Sequence, residues 1–245
     1  MNIQEVLHWL RRADDDITLV GGQSVALWEH LLGLPVRTET IDIDFLGDPS
    51  QAQELADALG YRCVIPEPDD PTPNTALILD DTDTIVADFL GMVAGLNETD
   101  ILRRRLPVDL ATGQRVHVLH PFDCLASRLA NIALLPAKRS PRGFDQLRAA
   151  IHMCHAYLIC LAEQARSQEA IKIANRIFDL AITDPGKRVF FDQEIDLLDA
   201  LPEPEVFQTP DFIRENYPRQ VERVRSKRER FARFRQNRRD RQKSG

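Results

Sequence analysis

The sequence predicts an α+β protein: a mixed sheet with flanking helices, followed by a helical half. Three observations lead there. Short strand-like and helix-like runs alternate up to about residue 118, every periodic run after Pro121 is helical, and 43% of the 245 residues are hydrophobic, enough for a sizeable core. Three parts are expected: an α/β domain over 1–119, a helical domain over 120–218 and a basic tail over 219–245, helical or disordered.

The elements follow in order. An amphipathic helix is expected over Ile3 to Arg12, then a short apolar strand from Ile17 to Val20. Gly21-Gly22 marks a tight turn, and Ser24 to Leu32 reads as an apolar-periodic helix capped at its start. In Thr40 to Leu46, Ile41, Ile43 and Phe45 alternate with polar residues, the pattern of a half-buried strand. A helix from Gln51 to Leu59 and a strand from Arg62 to Ile65 precede a proline-rich loop, Pro66 to Pro73. Strands Ala76 to Leu79 and Thr84 to Leu90 come next. Pro107 to Leu110 and Arg115 to Leu119, joined through Thr112-Gly113, then form a hairpin. Helices are expected over Phe122 to Leu135, Phe144 to Glu163, Gln168 to Ala181 and Asp192 to Leu201.

The chemistry concentrates in the first part. Asp42 and Asp44 share one edge of their strand, about twenty residues after the glycine turn. Two oxygens held over solvent at that spacing suit a divalent metal. The glycines and the following helix N-terminus would present free amides and a favourable dipole to a phosphate. Asp88 lies in an apolar strand, where a carboxylate needs a partner. Singly, each feature also fits an ordinary turn, a solvated edge or a satisfied polar contact. Together they fit a Mg²⁺ or Mn²⁺ site that takes hard oxygens from a few carboxylates and from substrate phosphates.

Gly21, Gly22, Ser24, Asp42, Asp44 and Asp88 stand in the order of the nucleotidyltransferase superfamily pattern, which the chain resembles. Within it, Val20-Gly21-Gly22-Gln23-Ser24-Val25-Ala26-Leu27, then Arg37 and Thr40-x-Asp42-x-Asp44, looks like the AbiEii and MenT group of toxin-type enzymes. The likeness covers roughly residues 15–150 and includes His120 to Leu129, Asn131, Lys138 and Asp145. It implies transfer of a nucleoside monophosphate from a nucleoside triphosphate to an acceptor, tRNA or another RNA, by a toxin with an antitoxin partner. Asp42, Asp44 and Asp88 would be catalytic and hold the metal. Gly21, Gly22 and Ser24 would cradle phosphates, and Lys138 would add positive charge beside them. Asp88 would either complete a second metal position or take the acceptor's proton. The chain departs from the group at Lys138, which sits in a proline-bounded loop instead of a compact helical motif; an ordinary solvated basic turn is the alternative there. A small-molecule nucleotidyltransferase of the aminoglycoside type, or a non-catalytic nucleotide- or RNA-binding module, would use the same scaffold.

Composition bounds these readings. No run approaches the ~18 apolar residues of a membrane span, and the N-terminus lacks a secretory pattern, so a cytoplasmic protein is expected. The four cysteines, Cys63, Cys124, Cys154 and Cys160, have no Cys-x-x-Cys spacing and read as reduced core residues. His152, Cys154 and His155 have soft-metal character but no second ligand cluster for zinc. From Arg219 onward, twelve Lys or Arg face three Asp or Glu, a net of +9, which leaves −16 on residues 1–218 of a chain whose total is −7. That tail carries Val221, Val224, Phe231 and Phe234 at helical spacing, as suits a solvated helix, a contact with acidic protein surface, or a grip on RNA phosphates.

Overall fold

The computed structural model describes residues 17–38, 42–67, 69–70, 72–110, 113 and 115–243, the side chains of 241–243 excepted. The expected helix Ile3 to Arg12, the first two residues of the Thr40 strand and Thr112 of the hairpin lie outside these residues. The chain divides into two compact units, the first through Met153 and the second from Cys154.

The first unit is built on a seven-stranded mixed sheet. Its strands are β1 (Thr18–Leu19), β2 (Ile43–Leu46), β3 (Arg62–Val64), β4 (Asn74–Leu79), β5 (Ile85–Leu90), β6 (Leu106–Asp109) and β7 (Arg115–Val118), in the spatial order β3-β4-β5-β2-β1-β7-β6. Two pairs are parallel, β2 with β5 and β1 with β7; the others are antiparallel. Ile43, Phe45, Ala87 and Phe89 are fully buried on one face, where the Phe45 and Phe89 rings lie 5.3 Å apart. Alternation therefore leaves Asp44 and Asp88 on the other face.

Helix α1 (Gly21–Leu31) begins at Gly21 itself, so the glycine pair is the first turn of the helix and not a loop before it. Val20 is the cap and supplies no side-chain bond. Helix α2 (Pro49–Leu59) has the stronger start: Asp48 accepts from the Ser50 and Gln51 amides while Gln51 reaches back to the Asp48 N–H, a capping box that satisfies orphan helix donors. Helix α3 (Glu98–Arg104), capped by Asn97, was not expected from periodicity, since seven residues give it under two full turns of pattern.

Helix α4 (Pro121–Leu134) belongs to this first unit and not to a separate helical domain beginning at 120. It is tied in by buried polar contacts. The Trp28 indole donates to the Leu119 carbonyl at 2.9 Å, Ser24 Oγ meets Cys124 Sγ at 3.3 Å, and Arg104 Nε donates to the buried Asp123 at 2.9 Å. The division between the units falls inside helix α5 (Pro141–Glu163).

The second unit contains α6 (Ser167–Ala181), α7 (Asp184–Gln193) and α8 (Tyr217–Lys243), linked by short 3₁₀ and π turns. The helix expected over Asp192 to Leu201 is instead the end of α7 and a 3₁₀ turn, Leu197–Ala200. Glu194 takes a left-handed conformation (φ 54°) that stops α7, and Asp196 caps the next turn through the Leu198 amide. Phe178, Phe207, Phe212 and Tyr217 form its aromatic core. No helix among the described residues is long and apolar enough to cross a membrane.

Candidate functional site

Asp44 and Asp88 are register partners across the parallel pair β2·β5, so their carboxylates rise side by side from the polar face of the sheet. Asp42 stands just before β2. One oxygen from each of the three lies within 4.8 Å of the others. Among the described residues this is the sole group of three His, Cys, Asp or Glu residues so arranged; His152, Cys154 and His155 do not form another.

The charges of the triad oppose one another. Burial, then the Asp42 charge, raises the Asp44 carboxyl above its ordinary range, while Arg128, Lys138 and the Gly22 amide pull it down. Burial, the Asp42 and Asp44 charges and a hydrogen bond with Asp42 push Asp88 up to about 7, against the pull of Lys138. Asn74 Nδ2 donates to Asp88 Oδ1 at 3.2 Å. A hard divalent cation would relieve this repulsion, and three carboxylate oxygens are the donors such a cation prefers. The residues present fit Mg²⁺ or Mn²⁺.

The glycine pair serves the carboxylates directly. Gly21 is left-handed (φ 65°), and a Cβ on it would lie 1.7 Å from Asp44 Oδ2, so only glycine allows the carboxylate to rest there. The Gly22 amide donates to that same carboxylate, and the Val20 N–H donates to the Asp44 carbonyl at 2.9 Å. The α1 N-terminus is thus turned onto Asp44. Ser24 is not available to a phosphate in this structure. It is fully buried, its hydroxyl donating to the Gly21 carbonyl at 2.8 Å.

A cavity of about 330 Å³ opens over the triad, lined by Gly22, Asp42, Asp44 and Asp88 together with Arg128, Lys138, Arg142, Gly143 and Gln146. Lys138 ends a short 3₁₀ turn, Pro136–Lys138, and is exposed. The neighbouring Arg139 is structural. It donates to the Ile132 and Ala133 carbonyls at 2.9 and 2.7 Å, clasping the turn to the C-terminus of α4. Gly143 lets α5 start against this turn, since a Cβ there would sit 1.9 Å from the Lys138 carbonyl. Asp145 is not in the cavity lining; it is exposed and pairs with Arg148 at 3.0 Å.

Arg128 is the residue that the sequence reading missed. It is 8% exposed, its Nη1 donates to Gln146 at 3.3 Å, and its buried Nε has no hydrogen-bond partner among the described residues. Burial lowers its basicity, and the Asp44 charge opposes that shift. The signal was in the sequence: Arg128 stands beside Leu129, with Leu125 three positions before and Ile132 four after, on the buried side of a helix. That is the same anomaly that drew attention to Asp88. Cys124 is no rival nucleophile, because burial pushes its thiol up to about 12.

The arrangement combines acids for a cation with one buried and two exposed cations, Arg128, Lys138 and Arg142, for an anion, in one polar cavity. No protein-family model matches the chain, and no curated protein matches it.

Proposed function

We propose that the first unit is a divalent-metal-dependent nucleotidyltransferase that moves a nucleoside monophosphate from a nucleoside triphosphate to an acceptor hydroxyl. The observation that carries this reading is the in-register pair Asp44 and Asp88, joined by Asp42 and sharing one cavity lining with Arg128 and Lys138. Acids alone would suit a cation, and cations alone an anion. Both together suit a metal-bound polyphosphate.

Asp42, Asp44 and Asp88 would hold Mg²⁺ or Mn²⁺. When bound, that ion would supply the charge that offsets the triphosphate and the departing pyrophosphate. The chain's own residues do the rest. Gly21 and Gly22 fix the Asp44 carboxylate in place. Arg128 offers a preorganised donor, its Nε already desolvated and without a partner among the described residues, so little ordering cost remains when a phosphate oxygen takes the bond. Lys138 adds a flexible point charge at the rim. In the transfer the acceptor oxygen bonds to the α-phosphorus as its O–H bond breaks and the proton passes to Asp88 or to solvent; the bond from that phosphorus to the bridging oxygen breaks, and pyrophosphate carries away the electron pair.

The resemblance of Gly21 to Asp44 to the toxin-type group supports RNA as the acceptor and a neutralising antitoxin as a partner. The test is incubation with Mg²⁺, each labelled nucleoside triphosphate in turn and total tRNA, beside the Asp42→Asn and Asp44→Asn proteins. Label on RNA from the wild type alone is the expected result. No transfer from any nucleotide, to RNA or to a panel of small hydroxyl acceptors, would remove the enzymatic reading.

A further inference from the structure

Helix α8 sorts its cations into two sets. Arg223 pairs with Asp179, Arg228 with Asp196 (Nη1 to Oδ2, 2.8 Å) and Arg235 with Asp192 (2.6 Å). Arg228 also covers the Phe190 ring, 3.8 Å from its centroid, and Val224 beside it is 1% exposed. These residues hold the helix within its own unit. Lys227, Arg230, Arg233, Arg238 and Arg239 are exposed, and none makes an ion pair or hydrogen bond among the described residues.

The second set has a direction. At 100° per residue, Lys227, Arg230, Arg233 and Phe234 project within one arc of about 120°, centred about 120° around the helix from Val224. The three acids of the helix, Glu222, Glu229 and Asp240, fall outside that arc. Phe234 is 65% exposed among these cations, whereas its neighbour Phe231 stacks on Phe191 at 5.9 Å. An aromatic ring left in water between unpaired cations offers a stacking platform beside phosphate contacts. A membrane surface would ask for a broad apolar face, and here the apolar stripe is turned inward, leaving one ring.

We propose that this face of α8 binds single-stranded nucleic acid, with phosphates on Lys227, Arg230 and Arg233 and an unpaired base on Phe234. This goes beyond the transfer reaction and does not depend on it. Residues 1–218 carry a net −16, so the basic tail, at +9, is where a polyanion would be drawn. Single strands are preferred over duplex because a paired base has no free face for the ring.

The test is fluorescence anisotropy of the full-length protein with a labelled single-stranded RNA, the same sequence as DNA, the corresponding duplex, and poly-glutamate as competitor, across a salt series. Either single strand should bind more tightly than the duplex. The combined Lys227→Gln, Arg230→Gln and Arg233→Gln protein should lose about 2 from the log–log salt slope, at ~0.7 per cation. Phe234→Ala should weaken binding roughly tenfold at fixed salt with the slope unchanged. Thermal melting checks that α8 stays docked, because Arg223, Arg228 and Arg235 are untouched in both variants. Absence of binding at about 10⁻⁴ M protein, equal preference for duplex, full competition by poly-glutamate, or variants that bind like the wild type would each overturn the proposal. Asp42→Asn should bind as the wild type does, so a failed transferase and a failed binding face give different results.

Discussion

Asp44 and Asp88 are paired residue for residue across two parallel strands, and this register places two carboxylates on one face at a separation that neither could tolerate alone. Sliding β5 by one residue would turn Asp88 into the core and bring Ala87 or Phe89 to the polar face. The site is therefore a property of sheet register as much as of residue identity, and its consequences can be measured.

Removal of either strand-borne acid should abolish chemistry while sparing the fold. Asp44→Asn is expected to lower transfer by more than about a hundredfold, since metal charge stabilisation supplies several kcal/mol and each ~1.4 kcal/mol is tenfold. Activity assays with circular dichroism check it; retained transfer at normal folding would remove the metal-holding role.

Gly21→Ala tests the seat of Asp44. The added methyl would meet the carboxylate at 1.7 Å and would occupy a left-handed backbone position, so Asp44 must swing away. Weakened Mg²⁺ binding by calorimetry, with a stability loss of about 1–2 kcal/mol, is expected. Wild-type Mg²⁺ affinity would refute the contact.

Arg128→Met keeps the bulk of the side chain and removes its charge. Nucleoside triphosphate binding should weaken by roughly tenfold to a hundredfold, as for a lost charge-assisted bond of about 1.5–3 kcal/mol. The Asp44 carboxyl should rise further, because its leading opposing charge is gone. Titration with a fluorescent nucleotide analogue, in wild type and variant, decides the matter.

Stability should fall as pH rises in the metal-free protein. Asp88 is pushed from 3.8 to about 7 and Asp44 is also raised, so the folded state keeps protons that the unfolded chain releases first. The loss runs from about pH 4 to pH 7 and levels off above that. Melting temperatures across this window should show the decline, Asp88→Asn should flatten it, and Mg²⁺ should stabilise more at the upper end, where no proton must be displaced. A Mg²⁺ effect independent of pH would count against a carboxylate site.

The docked and free arginines of α8 should differ in stability. Arg228→Ala breaks a bidentate, largely buried pair and uncovers Phe190, and is expected to cost about 2 kcal/mol. Arg230→Ala, at an exposed residue without an ion pair among the described residues, should stay within ~0.5 kcal/mol. Urea denaturation of both proteins checks the contrast.

Much of this was legible in the chain. Alternation at Ile43, Phe45, Ala87 and Phe89 fixes which face carries the acids, and a carboxylate inside an apolar strand announces its need for company. What stayed hidden depends on tertiary placement. Ser24 has the residue type of a phosphate ligand, yet one helical turn rotates its hydroxyl into the core toward Gly21 and Cys124. Asp145 and Lys138 lie seven positions apart, but only Lys138 lines the cavity, since Arg148 engages Asp145 on an exposed side of α5. The end of the first unit was misplaced because α4 has the same 3.6-residue period whether it packs on a sheet or on helices.

The parallel pairing of Leu19 with Val118 has a temporal meaning. Strand β1 lies between β2 and β7 in the sheet but cannot be completed on its far edge until about a hundred further residues exist, and closing so long a loop is a slow step. During synthesis the three acids leave the ribosome well before Arg128 and Lys138, the groups that offset them. A nascent chain that stops near residue 119 carries the repulsion without its remedy. The acidic cavity is therefore completed after the sheet that carries its acids, and termination at that point yields all seven strands without the cations that offset those acids.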